Sequence, residues 1–89
     1  MIERELEIIN RLGLHARAAA KLVHTVGGFK SRVTLIKDGE EADAKSILGI
    51  LLMAAPQGSR IWVRADGLDE EEAMTAVATL IQNRFDEES

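Results

Sequence analysis

From Ile2 to Ile9 the chain alternates, with Ile2, Leu6 and Ile8 on one side and Glu3, Glu5 and Glu7 on the other. That is the period of a half-buried strand. Past Gly13 the spacing changes: Ala16, Ala19, Ala20, Val23 and Val26 form a stripe of helical period. It predicts a helix from about residue 16 to about residue 27, ended by Gly27-Gly28, where a left-handed cap suits glycine. Arg32 to Lys37 and Glu40 to Asp43 read as two short strands, joined at Asp38-Gly39 by a tight type I′ hairpin. Ser46 is placed to cap a short, almost wholly apolar helix, "ILGILLM", and "APQG" then breaks the chain. A fourth strand, "RIWVRA", buries Ile61, Val63 and Ala65 and turns Arg60, Trp62 and Arg64 outward. Asp69, with Glu72 three residues on, resembles an acidic capping box for a last helix whose stripe is Ala73, Ala76, Val77, Leu80 and Ile81. The terminal "DEES" is expected to fray.

The order strand, helix, strand, strand, helix, strand, helix predicts an α+β open-faced sandwich: a four-stranded antiparallel sheet with three helices on one face. Its 89 residues suit a single domain, 1–89, with no repeat or linker. If the first and fourth strands are neighbours, Glu3, Glu5 and Glu7 face Arg60 and Arg64, in exposed pairs worth at most about 1 kcal/mol each.

Composition narrows the chemistry. There is no cysteine, so neither disulfides nor thiolate metal sites contribute, and two histidines provide no metal-ligand spacing. Neither a metal nor a cofactor is expected. A net charge of −4 without a basic stripe argues against nucleic acid, and no apolar run is long enough for a membrane span. These features lead us to expect a cytoplasmic monomer. With one tryptophan, two phenylalanines and no tyrosine, the core must be mostly aliphatic.

The candidate chemistry lies in "NRLGLHARAAAKLV". His15 falls at the start of the first helix, close to amides that have no partner inside it. Such amides and the positive end of the helix dipole favour an anion, and Arg17 adds a guanidinium whose geometry matches phosphate oxygens. The imidazole is itself a nucleophile. The set fits a phosphohistidine, with the Ala16 and Arg17 amides as phosphate donors. His-x-Arg alone also occurs at ordinary helix starts; here a glycine turn, small residues at Ala16, Ala19 and Ala20, and an apolar second helix accompany it. One side of that short helix must face outward, so Ile47, Leu48, Leu51 and Leu52, with Ala20, are candidates for a partner-binding patch, while Ile50 and Met53 pack inward. His24 is expected to face solvent, and the Glu70–Glu72 run to complement its helix dipole.

"GLHARAAAKLV" resembles the active-site motif, and "AKSILGIL" the regulatory-serine segment, of the histidine phosphocarrier (HPr) family of the phosphoenolpyruvate-dependent phosphotransferase system, in particular its nitrogen-related (NPr) branch. The order of elements agrees over essentially the whole chain. The resemblance implies a stoichiometric carrier rather than a turnover enzyme: His15 takes a phosphoryl group on Nδ1 from Enzyme I, Arg17 helps to hold it, and a histidine of a IIA-type protein receives it. It also implies Ser46 as a regulatory phosphorylation site, served in some members by an HPr kinase/phosphorylase. The alternative is an interaction module in which phosphorylation of His15 or Ser46 is only a signal. One departure is visible: the family usually has proline after the arginine, whereas Ala18 stands here and keeps an amide donor.

Overall fold

The structure is a computed structural model and describes residues 1–87. Four strands, β1 (Ile2–Glu7), β2 (Arg32–Lys37), β3 (Glu40–Asp43) and β4 (Arg60–Asp66), form one antiparallel sheet in the order β1-β4-β2-β3. Three helices, α1 (Ala16–Val26), α2 (Ile47–Met53) and α3 (Glu70–Gln82), cover one face, and a single turn, Arg84–Asp86, follows. The expected open-faced α+β sandwich is therefore the observed one. No described helix is long and apolar enough to cross a membrane.

Strand periodicity translates directly into layers. Leu6, Ile8, Val33, Leu35, Ile61, Val63 and Ala65 are buried beneath the helices. On the open face, Glu3 lies opposite Arg64 and Glu7 opposite Arg60. Arg64 Nε is 3.1 Å from Glu3, and Arg60 reaches Glu5 at 3.6 Å and Glu7 at 3.8 Å. Between them Trp62 is half exposed. In the β2–β3 hairpin Asp38 and Gly39 take φ of 53° and 82°, as a type I′ turn requires.

The helices depart from the sequence reading in which face they bury. In α1 the buried residues are Ala18, Ala19, Leu22 and Val26, while Ala16 and Ala20 are exposed and Val23 is partly buried. An alanine-rich segment defines its stripe weakly, and turning Leu22 inward removes far more apolar surface from water than turning Ala20 inward. In α3, Met74 and Ala78 replace Ala76 and Leu80 among the fully packed positions. The expected left-handed cap of α1 is also absent: Gly27 has φ −63°, and its amide bonds back to Val23 at 2.9 Å.

Nor does the capping box at Asp69 form. Asp69 is the N-cap of α3 but makes no side-chain cap bond. Its carboxylate instead reaches across to the start of β2, accepting from the backbone amides of Lys30 and Ser31, each at 2.9 Å, and from the Ser31 hydroxyl. Ser31 is fully buried, so its donors need an internal acceptor. The Ser31 hydroxyl bond, then the Lys30 amide, hold the Asp69 carboxyl below the usual carboxylate range.

The sign of the pH effect follows. A depressed folded-state value means that the stabilisation is complete above the ordinary aspartate range and is lost as pH falls through the lower folded value. In urea titrations, wild type should lose stability as the pH drops below about 4. Asp69→Asn should be less stable at pH 6 and show a flatter acid limb; an unchanged acid limb would contradict this role for Asp69.

Candidate active site at the start of the first helix

The site is built by the loop between β1 and α1. Ile8 is pinned to the Gly58-Ser59 segment through both of its backbone groups, at 2.7 and 2.8 Å. Two residues later the buried Asn10 closes the turn: the Gly13 amide bonds the Asn10 carbonyl at 3.1 Å, and Asn10 Nδ2 donates to the Gly13 carbonyl at 2.8 Å. Gly13 itself has φ 67°, and a Cβ there would lie 2.5 Å from the carbonyl oxygen of Ala55. Only glycine permits this approach. The Leu14 amide then bonds that same Ala55 oxygen at 2.9 Å, tying the loop to the segment that follows α2.

His15 is thereby the N-cap of α1, with extended backbone (φ −77°, ψ 178°) and a carbonyl that accepts the first helical bond, from Ala19, at 2.9 Å. Its ring folds back over the helix start, and the Arg17 amide donates to Nδ1 at 3.3 Å. On the ring's other side Nε2 pairs with Oε2 of Glu87. The second carboxylate oxygen, Oε1, accepts from Asn10 Nδ2 at 3.0 Å. The His15 side chain keeps 26% of its accessibility, enough for a reacting partner to reach it. A shallow hollow lined by Leu12, His15, Ala16, Arg17 and Glu87 opens at this point. A second, more apolar hollow joins Leu12, Leu14 and His15 to Ala54, Ala55 and Pro56.

Charge at the site is balanced rather than uniformly positive. Burial pushes the Glu87 carboxyl up, but hydrogen bonds from Asn10 and His15, and the charges of His15 and Lys21, outweigh it and hold the group below its ordinary value. Arg17 is exposed at the rim, with no ion-pair partner among the described residues. No group of three or more His, Cys, Asp or Glu side chains suited to a metal ion occurs among the described residues.

Of the positions singled out in the sequence, His15, Ala16 and Arg17 stand together around one hollow. The Arg17 amide, expected to await a phosphate, is occupied by the His15 ring in this state. Ser46 caps α2 by accepting from the Gly49 amide at 3.1 Å. Ile47, Leu48, Leu51 and Leu52 are exposed by 43%, 67%, 37% and 75%, whereas Ile50 and Met53 are buried. Ala20 and His24 are exposed on α1.

Three residues were not anticipated. Leu12, 65% exposed, lines both hollows beside His15. Asn10 braces the turn from within. Glu87 belongs to the terminal run expected to fray, yet Asp86 and Glu87 are held; Glu88 and Ser89 lie outside the described residues. The available signal was Phe85, an aromatic in an otherwise polar tail: it is fully buried and anchors that tail to the core.

Comparison with known proteins agrees with this fold. The family model described as "PTS HPr component phosphorylation site" matches residues 2–83. The phosphocarrier protein HPr of Xylella fastidiosa is 54% identical over 89 residues, covering all of both chains. The phosphocarrier protein NPr of Proteus mirabilis is 45% identical over 86 residues, 96% of each chain. Among solved structures, an HPr-C-His protein from Thermoanaerobacter tengcongensis superposes with a TM-score of 0.96 at 44% identity, over all of both chains. A family model that matches residues 2–83, relatives that match the whole chain and a solved structure with the same sandwich identify the chain as a member of the HPr family of phosphotransferase-system phosphocarriers.

Proposed function

We propose that His15 carries the phosphoryl group, accepting it on Nδ1 from phosphorylated Enzyme I and passing it to a histidine of a IIA-type protein. The observation that supports this most is the place of the His15 ring, partly exposed at the start of α1 with Nδ1 turned to the Arg17 amide at 3.3 Å. A phosphoryl group on Nδ1 lies where the helix dipole and the first-turn amides stabilise negative charge. The Arg17 amide is then free to leave the ring for a phosphoryl oxygen. Arg17 adds a planar cation that offers several donors to the equatorial oxygens.

Transfer breaks one N–P bond and makes another, so the two sides are similar in energy and the group moves in either direction. Catalysis reduces to positioning and charge stabilisation, and the chain is a carrier, not a turnover enzyme. Its setting in this reading is the cytoplasm. Ile47, Leu48, Leu51 and Leu52, with Ala20, form the docking surface, because an exposed apolar patch beside the reacting group excludes water around the transfer. Ser46, in the same patch, is a regulatory site for an HPr kinase/phosphorylase. Its phosphate would keep acceptor oxygens at the Gly49 amide, where the helix dipole favours negative charge, and place a dianion in the docking surface.

Incubation with cognate Enzyme I, phosphoenolpyruvate and magnesium, followed by intact mass and peptide mapping, should show one acid-labile phosphoryl group on His15. His15→Ala should take up none; label retained in that variant, or mapped to His24, contradicts the assignment. Arg17→Ala should slow transfer about tenfold to a thousandfold, equivalent to about 1.4 to 4 kcal/mol of transition-state stabilisation, and Arg17→Lys by less. Wild-type rates for both variants would make Arg17 an ordinary surface residue.

Leu48→Glu should raise the apparent KM of Enzyme I for this protein by about tenfold, with circular dichroism and melting unchanged. Unaltered kinetics in the folded variant would remove Leu48 from the docking surface.

A further inference from the structure

We propose that Glu87 is a positioning residue for phosphoryl transfer: its carboxylate fixes the His15 ring through Nε2, leaves the Nδ1 lone pair for phosphorus and balances the ring charge that transfer creates. The proposal rests on His15 being the phosphoryl acceptor, and adds a residue that lies 72 positions away in sequence.

The two ring nitrogens have partners of opposite kind. A backbone amide can only donate, so the contact from Arg17 at 3.3 Å requires a bare lone pair on Nδ1. An ionised carboxylate can only accept, so the contact with Glu87 requires the hydrogen on Nε2. Both neighbours select the same neutral tautomer, the one able to attack through Nδ1. A histidine ring held by a carboxylate at its non-reacting nitrogen is a recurrent way of fixing orientation and raising basicity.

Glu87 is itself held in place. Buried Asn10 donates to Oε1 at 3.0 Å, leaving Oε2 for the ring. Lys21 Nζ donates to the Phe85 carbonyl at 2.6 Å, and Phe85 is sunk in the core. Between α3 and Glu87, Arg84, Phe85 and Asp86 take φ of 56°, 53° and 61° in succession. Each such non-glycine residue costs on the order of 1 kcal/mol, and such strain persists where the surroundings impose it. Here the turn brings the tail back to the start of α1. Besides His15 and Glu87, the charged groups facing this contact are Arg17, on the rim, and Lys21, both from α1.

In the step itself, the Nδ1 lone pair forms the new N–P bond while the donor's N–P bond breaks and its electron pair returns to the donor imidazole. The Nε2 proton stays on His15, and the ring acquires positive charge facing Glu87. In the onward step the same ring leaves as a neutral imidazole with its Nε2 proton in place.

The test combines ring-15N NMR of His15 with phosphoryl-transfer rates from Enzyme I and to a IIA acceptor, for wild type, Glu87→Gln and Glu87→Ala. In wild type a hydrogen-bonded Nε2–H proton should be resolved near neutral pH. Glutamine keeps an acceptor oxygen but not the charge, so the proton signal should persist with transfer slowed about threefold to tenfold; alanine should lose the signal and slow about tenfold to a hundredfold. A folded alanine variant that keeps the signal, or that transfers at the wild-type rate, overturns the role of Glu87. Phosphorylation of wild type at a residue other than His15 would instead overturn the carrier reading on which the proposal rests.

Discussion

The site depends on a close approach between two backbones. Gly13 presses against the carbonyl of Ala55, where any Cβ would lie 2.5 Å from the oxygen, and the next amide bonds that oxygen. This contact joins the loop before α1 to the segment after α2. It therefore places the His15 ring and an apolar helix end side by side, although they are far apart in sequence. Leu12, Leu14 and His15 share a hollow with Ala54, Ala55 and Pro56 as a direct result. A larger residue at position 13 would both demand an unfavourable φ and push the ring away from the helix it caps.

Around that contact, ordinary stabilising devices acquire chemical consequences. A helix start needs a cap, and His15 provides it with the nitrogen that the carrier reading assigns to phosphorus. A helix start also favours a carboxylate, and Glu87 supplies one on the far side of the ring. The site is thus already organised around an anion, with Arg17 exposed at its rim. The scaffold beneath is aliphatic and close-packed, which keeps these few polar groups in fixed relation.

Strands were the most legible part of the sequence because a period of two leaves little freedom: a slip of one residue exchanges the faces. Thus β2, β3 and α2 have the predicted bounds, and the α2 patch divides between exposed and buried residues as expected from a short helix on an open sheet. The face of α1 was less legible because alanines weigh little against Leu22. Asp69 was misread because a local motif was outcompeted by a buried serine at the start of β2, a partner that sequence spacing does not reveal. Glu87 was hidden for a similar reason: its partners, Asn10 and His15, come from the opposite end of the chain. His15, by contrast, was legible because glycine turn, histidine, arginine and helix lie consecutively.

The most direct test is to determine which ring nitrogen bears phosphorus once the protein has been phosphorylated. In uniformly 15N-labelled protein, 31P–15N coupling should appear at His15 Nδ1, with the Arg17 amide proton shifted strongly as it turns from the ring to a phosphoryl oxygen. Coupling at Nε2, the nitrogen paired with Glu87, would contradict the account of how this helix start is used.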